Sequence, residues 1–374
     1  MYKKILVGLS GGVDSLSVAL FLRKQGYEVV GAMLEMFAQI ELDSNKIESS
    51  SSKIESSSNK IESSSNKFNS NYAELIEYAD KIGVEVYYID TKKKFEDKVI
   101  NHFCKSYIDG ITPNICVHCN QNVKIPTLIE LAKELSCDYV ATGHYARIRK
   151  EGERYVLYQA LDTWKDQSYM LHRLSQEQLS KLILPLGNYK KEDIKTYMRE
   201  NGFEQVAKKR ESYGVCFLGE ETYKDFLLRR NPELSNLKEG KIINENNEFV
   251  GTHDGYPFYT IGQYKSLKTT LEGKQYINSI NYKDNILKVG DKSSCYKQNI
   301  IIKDINFIKY KSLFGDYFFR VKIRGKDEGT LANIKFLKDR AEINFTKPIF
   351  APMQGQSIVI YENKDIVCGG EILW

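Results

Sequence analysis

Apolar and polar positions along this chain of 374 residues change their rhythm twice. Ile5-Leu6-Val7 is a short apolar run, and Leu16, Ala19, Leu20 and Leu22 then recur with helical spacing. Val29–Leu34 is a second apolar run. The pattern predicts a strand over Ile5–Gly8, a helix over Ser15–Lys24 and a strand over Val29–Leu34. It breaks over residues 44–67, where Lys-Ile-Glu recurs at 46, 53 and 60 among Ser and Asn. Each heptad there holds one apolar residue where a coiled coil needs two, so the segment reads as a disordered, expanded surface insert. Helical periodicity returns at Tyr72–Ile82, Phe95–Ser106, Lys124–Leu135, Gln176–Leu182 and Lys191–Asn201, with strands at Val84–Ile89 and Tyr139–Thr142. Strands alternating with helices predict an α/β fold with a doubly wound parallel sheet. From about residue 240 the helical period fades into short Ile, Val, Tyr and Phe runs between turns such as Asn246-Asn247 and Gly290-Asp291. That texture predicts a small, mostly β central domain and a C-terminal β-barrel. The expected domains are 1–207, 208–282 and 283–374.

The turn after the first strand carries chemistry. It reads Gly8-Leu9-Ser10-Gly11-Gly12-Val13-Asp14-Ser15. Two glycines let a backbone approach a phosphate, and the free N–H groups of the following helix point at it. Ser10 and Ser15 add hydroxyls, and Asp14 is placed to hold Mg²⁺ or to cap the turn. Neither the Walker A pattern nor a G-x-G-x-x-G fingerprint is present. The run resembles the pyrophosphate loop (PP-loop) of ATP pyrophosphatases, which adenylate a substrate and release pyrophosphate.

Composition narrows the setting. The formal charge of +5 permits a polyanionic partner without demanding one. No apolar run approaches the 18 residues of a membrane span, and Met1-Tyr2-Lys3-Lys4 leads into a strand, so a cytoplasmic location is expected. Cys104, Cys116, Cys119, Cys137, Cys216, Cys295 and Cys368 form a scattered, odd set, which argues for reduced thiols rather than a disulfide framework.

An ordered series of motifs names a substrate. Asn114-Ile115-Cys116-Val117-His118-Cys119-Asn120 is read as a loop between helices. Ala141-Thr142-Gly143-His144-Tyr145, Lys165-Asp166-Gln167-Ser168-Tyr169 and Gly214-Val215-Cys216-Phe217 follow. Tyr259-Thr260-Ile261-Gly262-Gln263, Gly355-Gln356-Ser357 and Cys368-Gly369-Gly370 complete it. The whole chain resembles the tRNA-specific 2-thiouridylase family. That resemblance implies ATP-driven replacement of the C2 oxygen of the wobble uridine (U34) by sulfur. It assigns Gly8 to Ser15 to the ATP phosphates, and Leu34 and Gly143 to the adenosine. It assigns Cys216 to the persulfide and Cys119 to the partner that attacks or resolves it. It assigns Asn114, Ile115, Cys116, His144, Lys165, Asp166, Gln167, Arg324 and Gln356 to tRNA contact. The implied partners are the tRNA anticodon stem-loop and a cysteine desulfurase or sulfur-relay protein. A different PP-loop enzyme with another acceptor is the alternative.

Cys116 departs from the family pattern, which has Asp at that position, and Ile115 stands where Pro is usual. Three readings of the thiols follow: a persulfide and disulfide relay with Cys116 spare, a [4Fe-4S] cluster on Cys116, Cys119 and Cys216, or a zinc site completed by His118.

Overall fold

The computed structural model describes residues 3–37, 70–209 and 214–373; the Lys-Ile-Glu repeat lies outside them. Strands β1 (Lys4–Gly8), β2 (Glu28–Glu35), β3 (Glu85–Asp90) and β4 (Tyr139–Ala141) pair in parallel in the order β3–β2–β1–β4. The two-residue strand Leu182–Ile183 pairs in parallel with β4 at the edge. Ile5, Leu6 and Val7 are all fully buried, as expected of a sheet covered on both faces. Their side chains alternate between the faces. Ile5 and Val7 pack with Leu16 and Ala19 of helix α1 (Val13–Lys24) and with Ile194 and Met198; Leu6 packs with Ile125 and Leu128.

From β1 the chain runs to β2 on one side, while β4 takes the other side. That reversal opens a crevice beyond the C-terminal ends of β1 and β4. The glycine loop and the segment Thr142-Gly143-His144 line it, so topology alone places a ligand between them.

Two local expectations need correction, and one hairpin was not expected. The Cys116–Cys119 segment is not a loop: Ile115–Cys119 is helical and passes through a wide turn at Asn120–Lys124 into the helix Ile125–Glu134. Pro126 follows that turn and has no N–H to give it, and Gln121 O accepts from Gln178 Nε2 at 3.2 Å instead. Strand Ile286–Gly290 lies in the central sheet beside Gly240–Ile243 and Tyr276–Asn281, so that sheet extends past the expected boundary at 282. The hairpin Ala146–Gln159, which helical periodicity did not reveal, joins the barrel sheet through the pair Tyr158–Asp365. Arg149 clamps it there with two 2.8 Å bonds to Asp365.

The C-terminal barrel closes because Tyr296–Phe307 pairs with both Arg340–Phe350 and Asp365–Leu373. Apolar cores cross both domain boundaries. Ile308, Val359 and Tyr361 of the barrel pack with Leu6 and Leu128, while Ile242 and Val250 of the central sheet pack with Phe103 and Cys119. These shared cores set where the junction residues stand. Among the described residues no helix is long and apolar enough to cross a membrane.

Candidate active site

The glycine loop is shaped from within. Leu9 N donates to Ala32 O at 2.7 Å and ties the loop to β2. Ser15 Oγ accepts from Ser10 N at 3.1 Å, donates to Gly12 O at 3.1 Å and lies 3.2 Å from Ser10 Oγ. Leu9 and Val13 are buried anchors. The two serines therefore hold the loop's shape, and its backbone is the part that faces outward. Gly11 has φ +73° with open space around it, and Gly12 at the N-cap of α1 offers no side chain to occupy the first N–H groups. This is a phosphate cradle at a helix N-terminus.

Gly143 closes the crevice from the β4 side. A Cβ at this position would lie 3.0 Å from Asp14 Cβ and 3.0 Å from Ser15 N. Gly143→Val should therefore push the loop off its position and weaken ATP binding by roughly tenfold or more, read by isothermal titration with ATP. An unchanged affinity would mean that the loop tolerates the displacement. Leu34, half-buried at the C-terminal end of β2, lies at the same edge of the sheet.

Asp14 is not arranged as a magnesium ligand. Lys191 Nζ donates to both of its carboxylate oxygens at 2.6 and 2.7 Å, and Tyr145 Oη donates to Oδ1 at 2.8 Å. Lys191 is only 3% exposed, so this ion pair is a built part of the loop. Nothing local in the sequence signals that Lys191 has a partner 177 residues away.

The Cys116–Cys119 helix and the Cys216 segment meet in one apolar core, which holds Cys119 and Phe217. Cys119 is buried, while Cys116 and Cys216 reach solvent. Burial nevertheless pushes all three thiols up, Cys216 to about 11, with Cys119 and Cys116 adding to the rise at Cys216 and Lys124 opposing it. His144 is pushed down to about 3 by burial and by the same Lys124, and its Nδ1 lies 2.8 Å from Thr142 Oγ1. Lys124 thus acts on the three thiols and on the loop beside the glycine cradle. His144 is followed by Tyr145, whose Oη donates to Asp14 in the glycine loop at 2.8 Å.

The raised pKa makes a direct prediction. A thiol at about 11 is about one part in a thousand thiolate at pH 8. Iodoacetamide should alkylate Cys216 far more slowly than a free cysteine at that pH, with the rate climbing through pH 10 to 11. Peptide mass spectrometry reads it, and a plateau near pH 9 would contradict the burial argument.

Metal readings of the thiols fare poorly. Among the described residues no three His, Cys, Asp or Glu side chains are disposed to hold a metal ion. His118 instead stacks on His102 with ring centroids 4.1 Å apart, and burial pushes it down to about 4. No step below is routed through a metal at these thiols.

The residues expected at tRNA divide into two groups. Cys116 is exposed, and Asn114, His144 and Lys165 are half-buried. Ile115 is buried, and Asp166 accepts from Ala160 N at 3.0 Å and Ser168 Oγ at 2.9 Å. Gln167 exchanges bonds with the Tyr145 backbone, and Arg324 donates to the carbonyls of Phe350 (3.0 Å) and Ala351 (2.7 Å). Gln356 keeps a buried Oε1 without a partner. Asp166, Gln167 and Arg324 thus bond backbone with their side chains. Two basic runs in the sequence, Lys208-Lys209-Arg210 and Arg229-Arg230, are largely ion-paired: Lys208 with Glu204, Lys209 with Glu74, Arg229 with Glu221 and Arg230 with Glu96, while Arg210 lies outside the described residues.

Family models match the chain from end to end: a tRNA methyl transferase HUP domain over 3–220, a tRNA methyl transferase PRC-barrel domain over 224–291 and an aminomethyltransferase beta-barrel domain over 297–372. The tRNA-specific 2-thiouridylase MnmA of Cytophaga hutchinsonii is 37% identical over 371 residues, covering 99% of this chain and 97% of that one. That of Natranaerobius thermophilus is 35% identical over 376 residues, covering 100% and 98%. A 4-thiouridine synthetase–RNA complex with bound ATP matches only at a TM-score of 0.33 and 12% identity, over 62% of this chain and 51% of that one. The glycine cradle and these full-length matches agree: the chain belongs to the tRNA-specific 2-thiouridylase family.

Proposed function

We propose that this protein uses ATP to replace the C2 oxygen of the wobble uridine of tRNA with sulfur. The observation that carries the reading is one chain holding both a phosphate cradle at the start of α1 and the Cys119 and Cys216 segments packed into one core. A uridine carbonyl has no leaving group, so its C2 oxygen first attacks the α-phosphorus of ATP and pyrophosphate departs. The N–H groups at the start of α1 stabilise that anion. The terminal sulfur of a Cys216 persulfide then attacks C2, and AMP leaves with the oxygen. The Cys119 thiolate next attacks Cys216 Sγ and breaks the S–S bond. That electron pair becomes the thiocarbonyl, and a Cys119–Cys216 disulfide remains. A dithiol reductant supplies the two electrons that reopen it, and a cysteine desulfurase or relay protein reloads Cys216. Magnesium accompanies ATP in this reading, and no step is assigned to it. The target base must leave the anticodon stack to reach these thiols.

The test is nucleoside mass spectrometry on unmodified tRNA incubated with ATP, Mg²⁺, a dithiol reductant, a cysteine desulfurase and cysteine. Wild type and Cys116→Ser should both yield 2-thiouridine. Loss in Cys116→Ser alone would revive a three-thiol site. No thiolated nucleoside from wild type would shift the assignment to an adenylating enzyme with another acceptor.

A further inference from the structure

A second cavity, of about 280 Å³, lies where the three domains meet. It falls just below the range of about 300–1,000 Å³ typical of small-molecule sites, which suits a single planar group. Thr112 contributes from the catalytic domain, Asn278, Ser279 and Tyr282 from the central sheet, and Lys297 and Gln354 from the barrel. Two of its lining residues stand close in sequence to positions that the resemblance assigns to tRNA. Thr112 is two residues before Asn114, Gln354 is two before Gln356, and Thr112 N donates to Gln354 O at 3.1 Å.

The cavity wall is built, not incidental. The pairing of Tyr276–Asn281 with Ile286–Gly290 slips between Ile277 and Ser279, so Asn278 sits in a β-bulge. Bulges re-aim side chains and favour sites. Asn278 Nδ2 is anchored on Ser294 Oγ at 3.0 Å, which fixes its amide plane. The bulged strand is braced from behind by Gly262 N to Ile277 O at 2.7 Å. Tyr282 is 47% exposed and rests on Gly110, where a Cβ would come within 3.1 Å of Tyr282 Cβ. Gly110 has φ +72°, so both its backbone and its lack of a side chain serve this contact. The result is an aromatic face at the mouth, an amide and a hydroxyl on one wall and an ammonium nearby.

We propose that this cavity binds a second nucleobase of the anticodon loop, distinct from the wobble uridine and unstacked along with it. Its ring stacks on Tyr282, its edge meets Asn278 and Ser279, and Lys297 faces its phosphate. Single-stranded RNA is recognised by this combination of aromatic stacking and polar edge contacts. The inference rests on the tRNA reading above.

The experiment is a set of anticodon stem-loop RNAs, each with one loop nucleotide made abasic, titrated by fluorescence anisotropy against wild type, Tyr282→Ala and Tyr282→Trp. Wild type should lose about tenfold in affinity at the wobble position and also at one other position. In Tyr282→Ala that second loss disappears, because the cavity no longer rewards a base there. Tyr282→Trp restores it, which a merely structural role for the tyrosine would not do. If Tyr282→Ala keeps both losses, or if wild type shows sensitivity only at the wobble base, the second-base inference is overturned while the tRNA reading stands. If wild type binds no stem-loop at all, the tRNA reading itself fails. If stem-loop binding is unchanged but Tyr282→Ala loses its response to the sulfur donor, the cavity belongs to a protein partner and the base assignment is overturned.

Discussion

Replacing Cys216 by serine should abolish 2-thiouridine formation, by at least roughly a thousandfold, while tRNA-dependent release of pyrophosphate from ATP continues. The two half-reactions use different parts of the molecule. Adenylation needs the cradle at the start of α1 and the crevice beyond β1 and β4. Sulfur transfer needs an atom that can carry a second sulfur and then be relieved of it. Serine oxygen does neither. Cys119→Ser should differ from Cys216→Ser in a readable way. It can still accept a persulfide on Cys216, so mass spectrometry should find a protein–tRNA adduct that fails to resolve, with no free thiolated nucleoside. Parallel behaviour of the two variants, or loss of pyrophosphate release in either, would contradict the division of labour. The burial that pushes the Cys216 thiol up to about 11 serves the scheme as well. A resting thiol held protonated is poorly reactive toward stray electrophiles, and a persulfide ionises more readily than the thiol it replaces.

Much of this was legible in the chain, for reasons that differ by element. The parallel sheet shows because Ile5-Leu6-Val7 and Val29-Val30 are buried on both faces and must be apolar throughout. The cradle shows because only glycine satisfies Gly11 at φ +73° and leaves the helix start uncovered. The helical turn at Ile115–Cys119 stayed hidden because Ile115, Val117 and Cys119 alternate as a strand would, and five residues give no helical period. The hairpin Ala146–Gln159 stayed hidden because its outer strand is charged and its partner, the barrel, lies two hundred residues on. Arg324 illustrates a different limit. Motif matching suggests a tRNA contact, and the structure shows its guanidinium bonded to two carbonyls, a bracing role that only coordinates reveal. Lys191 is the clearest case. Its ion pair with Asp14 joins positions 177 apart, and no local pattern encodes that.

That ion pair supports the second large effect. Asp14 and Lys191 should not be equivalent in either stability or catalysis, because their environments differ. The Lys191 side chain is 4% exposed and that of Asp14 is 34% exposed. Asp14→Ala strands an ammonium in the protein interior, and breaking a buried pair in this way costs about 3–5 kcal/mol. Lys191→Met leaves a carboxylate that water can still reach, so its cost should be smaller, on the order of 1–2 kcal/mol. Urea unfolding of the two variants reads the difference, and equal losses would mean that the pair is not desolvated as drawn. Catalysis should rank them the other way. Without Lys191 the Asp14 charge stands uncompensated beside the phosphate cradle, and ATP with its own negative charges is repelled. The KM for ATP should rise by about tenfold or more. Adding Asp14→Asn to Lys191→Met removes that charge, so the double variant should recover much of the lost ATP affinity even though neither native residue is present. Recovery identifies charge neutralisation as the role of Lys191. A double variant as poor as Lys191→Met alone would instead assign Lys191 to packing or to direct contact with the nucleotide.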